Sequence, residues 1–109
     1  MSRADYEVQP EELRRKIEAG ERFVLLDVRR HDEVAMSTLP NTMHIPIEEI
    51  EDRVDELNAD AETVVFCHHG VRSLSVTVYL RNHGFRNVTS LAGGIDLWSQ
   101  SIDPSVPRY

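Results

Sequence analysis

The chain has 109 residues, 40% apolar and 6% aromatic, enough for one small domain with an aliphatic core and leaving little room for a second. Its 12 basic and 19 acidic residues give a net charge of −7, which argues against binding to nucleic-acid phosphates. A single cysteine, Cys67, excludes an intramolecular disulfide, and no apolar run is long enough to span a bilayer.

The first residues lack the basic start and apolar stretch of a signal peptide, so the expectation is a soluble, cytoplasmic protein with no membrane partner. The acid is concentrated between Glu48 and Glu62, where Arg53 is the only base. That stretch reads as a solvated helical surface rather than as a docking face for a basic partner.

Short apolar runs alternate with helical segments, the pattern of a parallel sheet covered by helices. Pro10 to Ala19 predicts a helix, with Pro10 at its first position and Gly20 just past its end. Leu13 and Ile17 form its apolar stripe, and Glu11–Arg15 and Glu12–Lys16 are favourable i,i+4 pairs. Phe23 to Leu26 reads as a strand buried on both faces, running into Asp27-Val28-Arg29. A short helix is expected over Asp32 to Met36, and a short strand over Met43 to Ile45, between Pro40 and Pro46. Ile47 to Leu57 predicts one or two helical turns with Ile47, Ile50, Val54 and Leu57 facing inward.

Thr63 to Phe66 reads as a second buried strand with Cys67 at its end. Val71 to Asn82 is expected to be a helix, although Val76, Thr77 and Val78 prefer strands. A strand there would need a crossover of its own. Asn87 to Leu91 is the last core strand, Gly94 to Gln100 the last helix, and an extended tail is expected from Ser101. A single domain over 1–109 follows, with its core at about 6–100 and its tail at 101–109.

The segment Cys67-His68-His69-Gly70-Val71-Arg72-Ser73 runs from a strand end into a helix start. Ligand sites of open α/β sheets lie at the carboxyl ends of strands. A helix start supplies unpaired N–H groups and partial positive charge, which can converge as an anion cradle with Cys67 at its floor. That field, with Arg72, is expected to favour the thiolate. Gly70 permits a backbone conformation closed to most residues, and Arg72 can hold an oxyanion in bidentate fashion. A strand-ending cysteine is more often an inert core thiol, but the following Gly-Val-Arg-Ser favours a functional one. His68 and His69 could bind substrate or assist proton transfer; the blander reading is a pair of solvent-facing loop residues. Adjacent histidines rarely converge on one ion, and no second cluster has ligand spacing, so neither a metal nor another cofactor is expected.

Three blocks together resemble the rhodanese family: Leu25 to Arg29, Cys67 to Ser73, and Leu91-Ala92-Gly93-Gly94-Ile95-Asp96-Leu97-Trp98. The resemblance covers nearly the whole chain. It implies the rhodanese-like α/β fold, a mainly parallel five-stranded sheet with helices on both faces. It implies thiosulfate sulfurtransferase-type chemistry in which Cys67 forms a persulfide. Arg72, His68, His69, Gly70, Val71 and Ser73 would form the substrate-binding loop, with Asp27 and Arg29 supporting it as an ion pair or cap. Gly93 and Gly94 would make a tight start to the last helix, and Trp98 would pack in the core. Where the family often has Gly-His-Ile-Pro-Gly-Ala, this chain has Ser37-Thr38-Leu39-Pro40-Asn41-Thr42, which puts the usual loop shape there in question. The tail from Asp103 to Tyr109 resembles the end of rhodanese domains fused to enzymes that activate ubiquitin-like sulfur carriers.

The expected partners are a small sulfur donor such as thiosulfate, with a protein as a further donor or acceptor. Two other classes remain open: a non-catalytic interaction module or protein sulfur relay, and a phosphatase or arsenate reductase. Those last enzymes resemble this fold but carry a longer loop, whereas here four residues separate Cys67 from Arg72.

Overall fold

Continuous apolar runs bounded by Gly and Pro become strands that are buried on both faces. In the computed structural model, which describes residues 2–109, β2 (Val24–Asp27) and β4 (Thr63–Phe66) form the centre of the sheet. They are joined by β3 (Thr42–His44), β5 (Val88–Leu91) and a two-residue strand, β1 (Glu7–Val8). The order is β1-β5-β4-β2-β3, and all four pairings are parallel. The expected five-stranded sheet is therefore present. β1 has no counterpart among the sequence-based strands, because two residues are too short for a periodic signal.

Four α-helices connect the strands, α1 (Pro10–Glu18), α2 (His31–Met36), α3 (Ile50–Arg53) and α4 (Val71–Arg81), and α5 (Gly94–Ser101) follows β5. β4 shows how alternation serves a sheet covered on both sides. Val64 and Phe66 pack with Leu13 of α1 and with Ile95 and Trp98 of α5. Val65 and Cys67 face the other way, toward Ile50 of α3 and toward Val76 and Leu80 of α4. Trp98 is thus a core residue.

Three local details differ from expectation, and one helix expected against its local propensity is present. α2 starts at His31, one residue early. The acidic stretch is split into a 3₁₀ turn (Ile47–Glu49), α3 and another 3₁₀ turn (Val54–Glu56). The helix over the β-branched run does form, because α4 links two parallel strands, and Thr77 Oγ1 donates to Ser73 O at 2.8 Å. The segment after α5 is not an extended tail. It turns at Asp103–Val106, where the Val106 amide donates to Asp103 O at 3.1 Å, and Ser99 Oγ donates to Val106 O at 2.6 Å. That turn brings Tyr109 back over the carboxyl end of the sheet.

The segment that departs from the family pattern keeps a left-handed residue. Asn41 takes φ +60°, a conformation that Asn tolerates better than most side chains. Ser37 is buried in an extended conformation, and its Oγ is buried with no hydrogen-bond partner among the described residues.

Candidate active site

β4 ends at Phe66, and the chain then bends through Cys67 to Gly70 before α4 begins. Gly70 makes this possible with φ +99°. A Cβ there would meet Gly93 N at 3.2 Å and Leu91 O at 3.4 Å, so the loop packs closely on the start of α5. α5 in turn ties down the loop backbone. The Ile95 amide donates to Cys67 O at 2.9 Å, and the Asp96 amide to His68 O at 3.1 Å. A Cβ on Gly94 would stand 2.4 Å from His68 O and 2.5 Å from Cys67 O. The Gly93-Gly94 pair is thus the seat of the cysteine loop as well as a tight helix start.

The curl aims amides at the sulfur. Gly70 N donates to Cys67 Sγ at 3.1 Å and Ser73 N at 3.3 Å. Ser73 Oγ lies 3.4 Å from Sγ and is fixed by a 2.7 Å contact with Ser90 Oγ. Cys67 is only 1% exposed. Burial alone would suit an inert core thiol, but converging backbone donors form an anion cradle centred on the sulfur. Val71 is exposed at the rim of this loop.

Arg72 does not stand free over the cradle. Its Nη1 and Nη2 donate to Glu33 Oε1 and Oε2 at 2.7 and 2.9 Å. The Arg72 side chain is 29% exposed and that of Glu33 only 3%. The Arg72 guanidinium is the main reason the Glu33 carboxyl falls from its ordinary 4.5 to about 2. The Arg30 amide and the Tyr109 hydroxyl also donate to Glu33, at 3.1 and 2.9 Å.

Asp27 and Arg29 form a buried ion pair at the carboxyl end of β2. Arg29 donates to Asp27 from its amide and Nε at 3.0 Å each, and from Nη2 at 2.8 Å. Both side chains are fully buried. Arg29 also donates to Ser37 O at 2.7 Å, Glu33 O at 3.3 Å and the Tyr109 hydroxyl at 2.9 Å. Its guanidinium carbon lies 5.4 Å from the Phe66 ring centroid and 5.7 Å from that of Tyr109. Arg29 thus fixes α2, the segment after it, and Tyr109 against the sheet.

The two histidines part company. His69 is exposed, with Nε2 3.8 Å from Asp96 Oδ2. His68 is not solvent-facing as the blander reading had it. Its ring stacks between those of Tyr109 (3.9 Å) and His69 (3.8 Å), and its buried Nε2 has no partner among the described residues. Burial, and then the neighbouring His69, lower its pKa and favour the neutral ring. His68, His69 and Asp96 bring ligand atoms within 4.8 Å of one another. Stacked rings cannot aim two nitrogen lone pairs at one ion, however, and Asp96 already accepts from Arg108 Nε and Gln100 Nε2 at 2.9 Å each.

Glu33 and Tyr109 had no place in the sequence-based site. They lie 39 residues before and 37 residues after Arg72 in sequence, and only the fold brings them together. A carboxylate one helical turn past Asp27-Val28-Arg29 was the available signal for Glu33; Tyr109 gave none beyond being an aromatic residue in a proline-containing segment.

A family model, Rhodanese-like domain, matches residues 9–101. YtwF of Bacillus subtilis (strain 168) is 37% identical, over 90% of this chain and 94% of its own length. Thiosulfate sulfurtransferase GlpE of Pseudomonas syringae pv. syringae (strain B728a) is 35% identical, over 84% of each. Other relatives are longer, and the chain spans about a quarter to a half of them. Among solved structures, a rhodanese-like domain protein from Staphylococcus aureus superposes with a TM-score of 0.82 at 28% identity, covering 95% of this chain and 98% of that one. The order of the strands, the curl of the cysteine loop and these likenesses agree, and the chain belongs to the rhodanese-like domain family.

Proposed function

We propose that this protein is a sulfurtransferase that moves a sulfane sulfur from thiosulfate or a persulfide donor to a thiophilic acceptor through a persulfide on Cys67. The observation that carries the reading is the convergence of the Gly70 and Ser73 amides on Cys67 Sγ, at 3.1 and 3.3 Å. Such donors stabilise negative charge on sulfur before and after transfer. The kinship with a thiosulfate sulfurtransferase supports the same chemistry.

In the first half-reaction the Cys67 thiolate attacks the outer sulfur of the donor. The new bond joins Sγ to that sulfur, and the bond to the rest of the donor breaks, releasing sulfite from thiosulfate or a thiolate from a persulfide. In the second, an acceptor such as cyanide, a thiol or a protein thiol attacks the outer sulfur and restores the Cys67 thiolate. Because Cys67 is 1% exposed, the transferred atom enters along the axis of the loop, which suits one sulfur better than a tetrahedral oxyanion. The Ser73–Ser90 contact fixes the start of α4 so that its amides stay aimed at the sulfur. We place the protein in the cytoplasm, where a thiol stays reduced; no helix among the described residues is long and apolar enough to cross a membrane.

The test is steady-state transfer from thiosulfate, and from cysteine persulfide, to cyanide. The expected result is parallel double-reciprocal lines, the mark of a ping-pong cycle, and their loss in Cys67→Ser. Full activity in Cys67→Ser, or efficient hydrolysis of an aryl phosphate instead of sulfur transfer, would overturn the reading.

A further inference from the structure

The cysteine loop is not the only concave site. Where α1 ends and β2 and β3 begin, a cavity of about 370 Å³ opens at the amino end of the sheet. The buried side chains of Leu25, Leu39 and Trp98 form its floor, and Phe23 and the 47%-exposed Ile17 stand at its mouth. The floor residues belong to the apolar cluster under α1 and α5, whereas Cys67 belongs to the cluster on the opposite face of the sheet. The cysteine loop also follows the carboxyl end of β4, which runs parallel to β2, so the cavity and the sulfur site are separate. One wall is the segment that departs from the family pattern, where Asn41 at φ +60° turns the chain into β3; another is Asp103, just after α5.

The volume and the apolar floor are those of a small-molecule site, which takes its specificity from a few polar groups. Here those groups are Glu21, Asn41 and Asp103, and no basic side chain lines the cavity. Glu21 Oε1 accepts from Lys16 Nζ at 3.3 Å, but Lys16 holds Glu62 Oε2 more closely, at 2.7 Å. Asp103 Oδ1 accepts from the Ser105 amide at 3.1 Å and from its hydroxyl at 2.6 Å. Among the described residues, Glu21 Oε2, Asp103 Oδ2 and the Asn41 side chain have no partner, and Asp103 has no ion pair. An anion entering here would meet two carboxylates, and a neutral molecule would leave their charge uncompensated. A monocation answers both while its apolar body covers the floor.

We infer that this cavity binds a small amphipathic monocation, an organic amine with an aromatic or branched aliphatic body. The ammonium group sits at the rim formed by Glu21, Asn41 and Asp103, and the body lies against Leu25, Leu39 and Trp98. The site does not depend on the sulfur-transfer reading, and the failure of either leaves the other standing.

Trp98 is the only tryptophan in the chain, so its indole N–H gives a single proton–nitrogen correlation signal at the cavity. The protein is titrated with phenethylamine, phenethyl alcohol and phenylacetate, which share an aromatic body and differ in the charge of the head group. At about pH 7 the amine is protonated and the acid ionised, and low salt keeps screening weak. The amine should shift the Trp98 indole signal and the Leu39 and Asn41 amides saturably, with a Kd of about 1 mM or tighter. The alcohol should bind about fivefold more weakly, the scale of two part-exposed carboxylates acting on one cation, and phenylacetate more weakly still.

The double variant Glu21→Gln, Asp103→Asn keeps an acceptor oxygen at both positions and removes both charges. In it the amine and the alcohol should bind within about twofold of each other. The same spectra show whether the variant is folded, and the charge series on the unaltered protein stands without it. Binding of the amine no tighter than that of the alcohol, a fivefold preference that survives in the folded double variant, or no saturable shift of the Trp98 indole signal up to about 10 mM amine would each overturn the inference.

Discussion

Arg53 and Arg29 are both arginines held by carboxylates, at opposite extremes of burial. Arg53 sits on the acidic stretch and donates to Glu49 at 3.0 Å and to Glu56 at 2.8 and 3.0 Å, with all three side chains at least one-third exposed. Arg29 sits at the carboxyl end of β2 with no exposure and divides its donors among Asp27, Ser37, Glu33 and Tyr109. Water competes for every contact of the first and for none of the second. The exposed pair decorates a surface, whereas the buried one fixes the parts from which the site is assembled.

The sharpest way to break that contrast is Arg29→Ala. It leaves Asp27 buried and uncompensated and frees both α2 and Tyr109. The expected loss is about 3–5 kcal/mol, a large part of the stability of a small domain, read from the urea midpoint. Gly94→Ala should come next. A Cβ at φ +61° would run into the loop carbonyls, and a cost of about 2–4 kcal/mol is expected from strain and overpacking together, with loss of sulfur transfer as the loop lifts.

The third effect is on pH. Glu33 has a folded pKa of about 2 against an ordinary 4.5, so its ionised form stabilises the fold. That contribution is fully present above about pH 4.5 and is lost as pH falls toward 2. Urea midpoints measured down this range should fall less steeply in Glu33→Gln than in the unaltered protein. A smaller effect of opposite sign is expected at Ser37: removing its buried, unpartnered hydroxyl in Ser37→Ala should stabilise by about 1 kcal/mol. Last, Arg53→Ala should leave the urea midpoint where it was, as for most exposed ion pairs.

The contrast also explains what could be read from the sequence. β2, β4, β5 and α1 follow from local runs, because apolar continuity and caps are written within a few residues. The cysteine loop was legible for the same reason: strand end, Gly70 and helix start lie within seven residues. The Asp27–Arg29 pair, two residues apart, was legible too. Glu33 and Tyr109 were not. Their roles depend on contacts made 39 and 76 residues away, and no local propensity encodes those. β1 was missed because a two-residue edge strand is defined by its partner β5 rather than by its own pattern. The segment after α5 was misread because two prolines suggest extension, whereas the turn at Asp103 and the burial of Val106 fold it back.

The central claim is that Cys67 carries the sulfur, and the intact mass of the purified protein tests it most directly. After incubation with thiosulfate or cysteine persulfide, the mass should rise by one sulfur atom, return on addition of cyanide, and stay unchanged in Cys67→Ser. A thiol that alkylates normally yet gains no sulfur from either donor, or a gain that persists in Cys67→Ser, would contradict it.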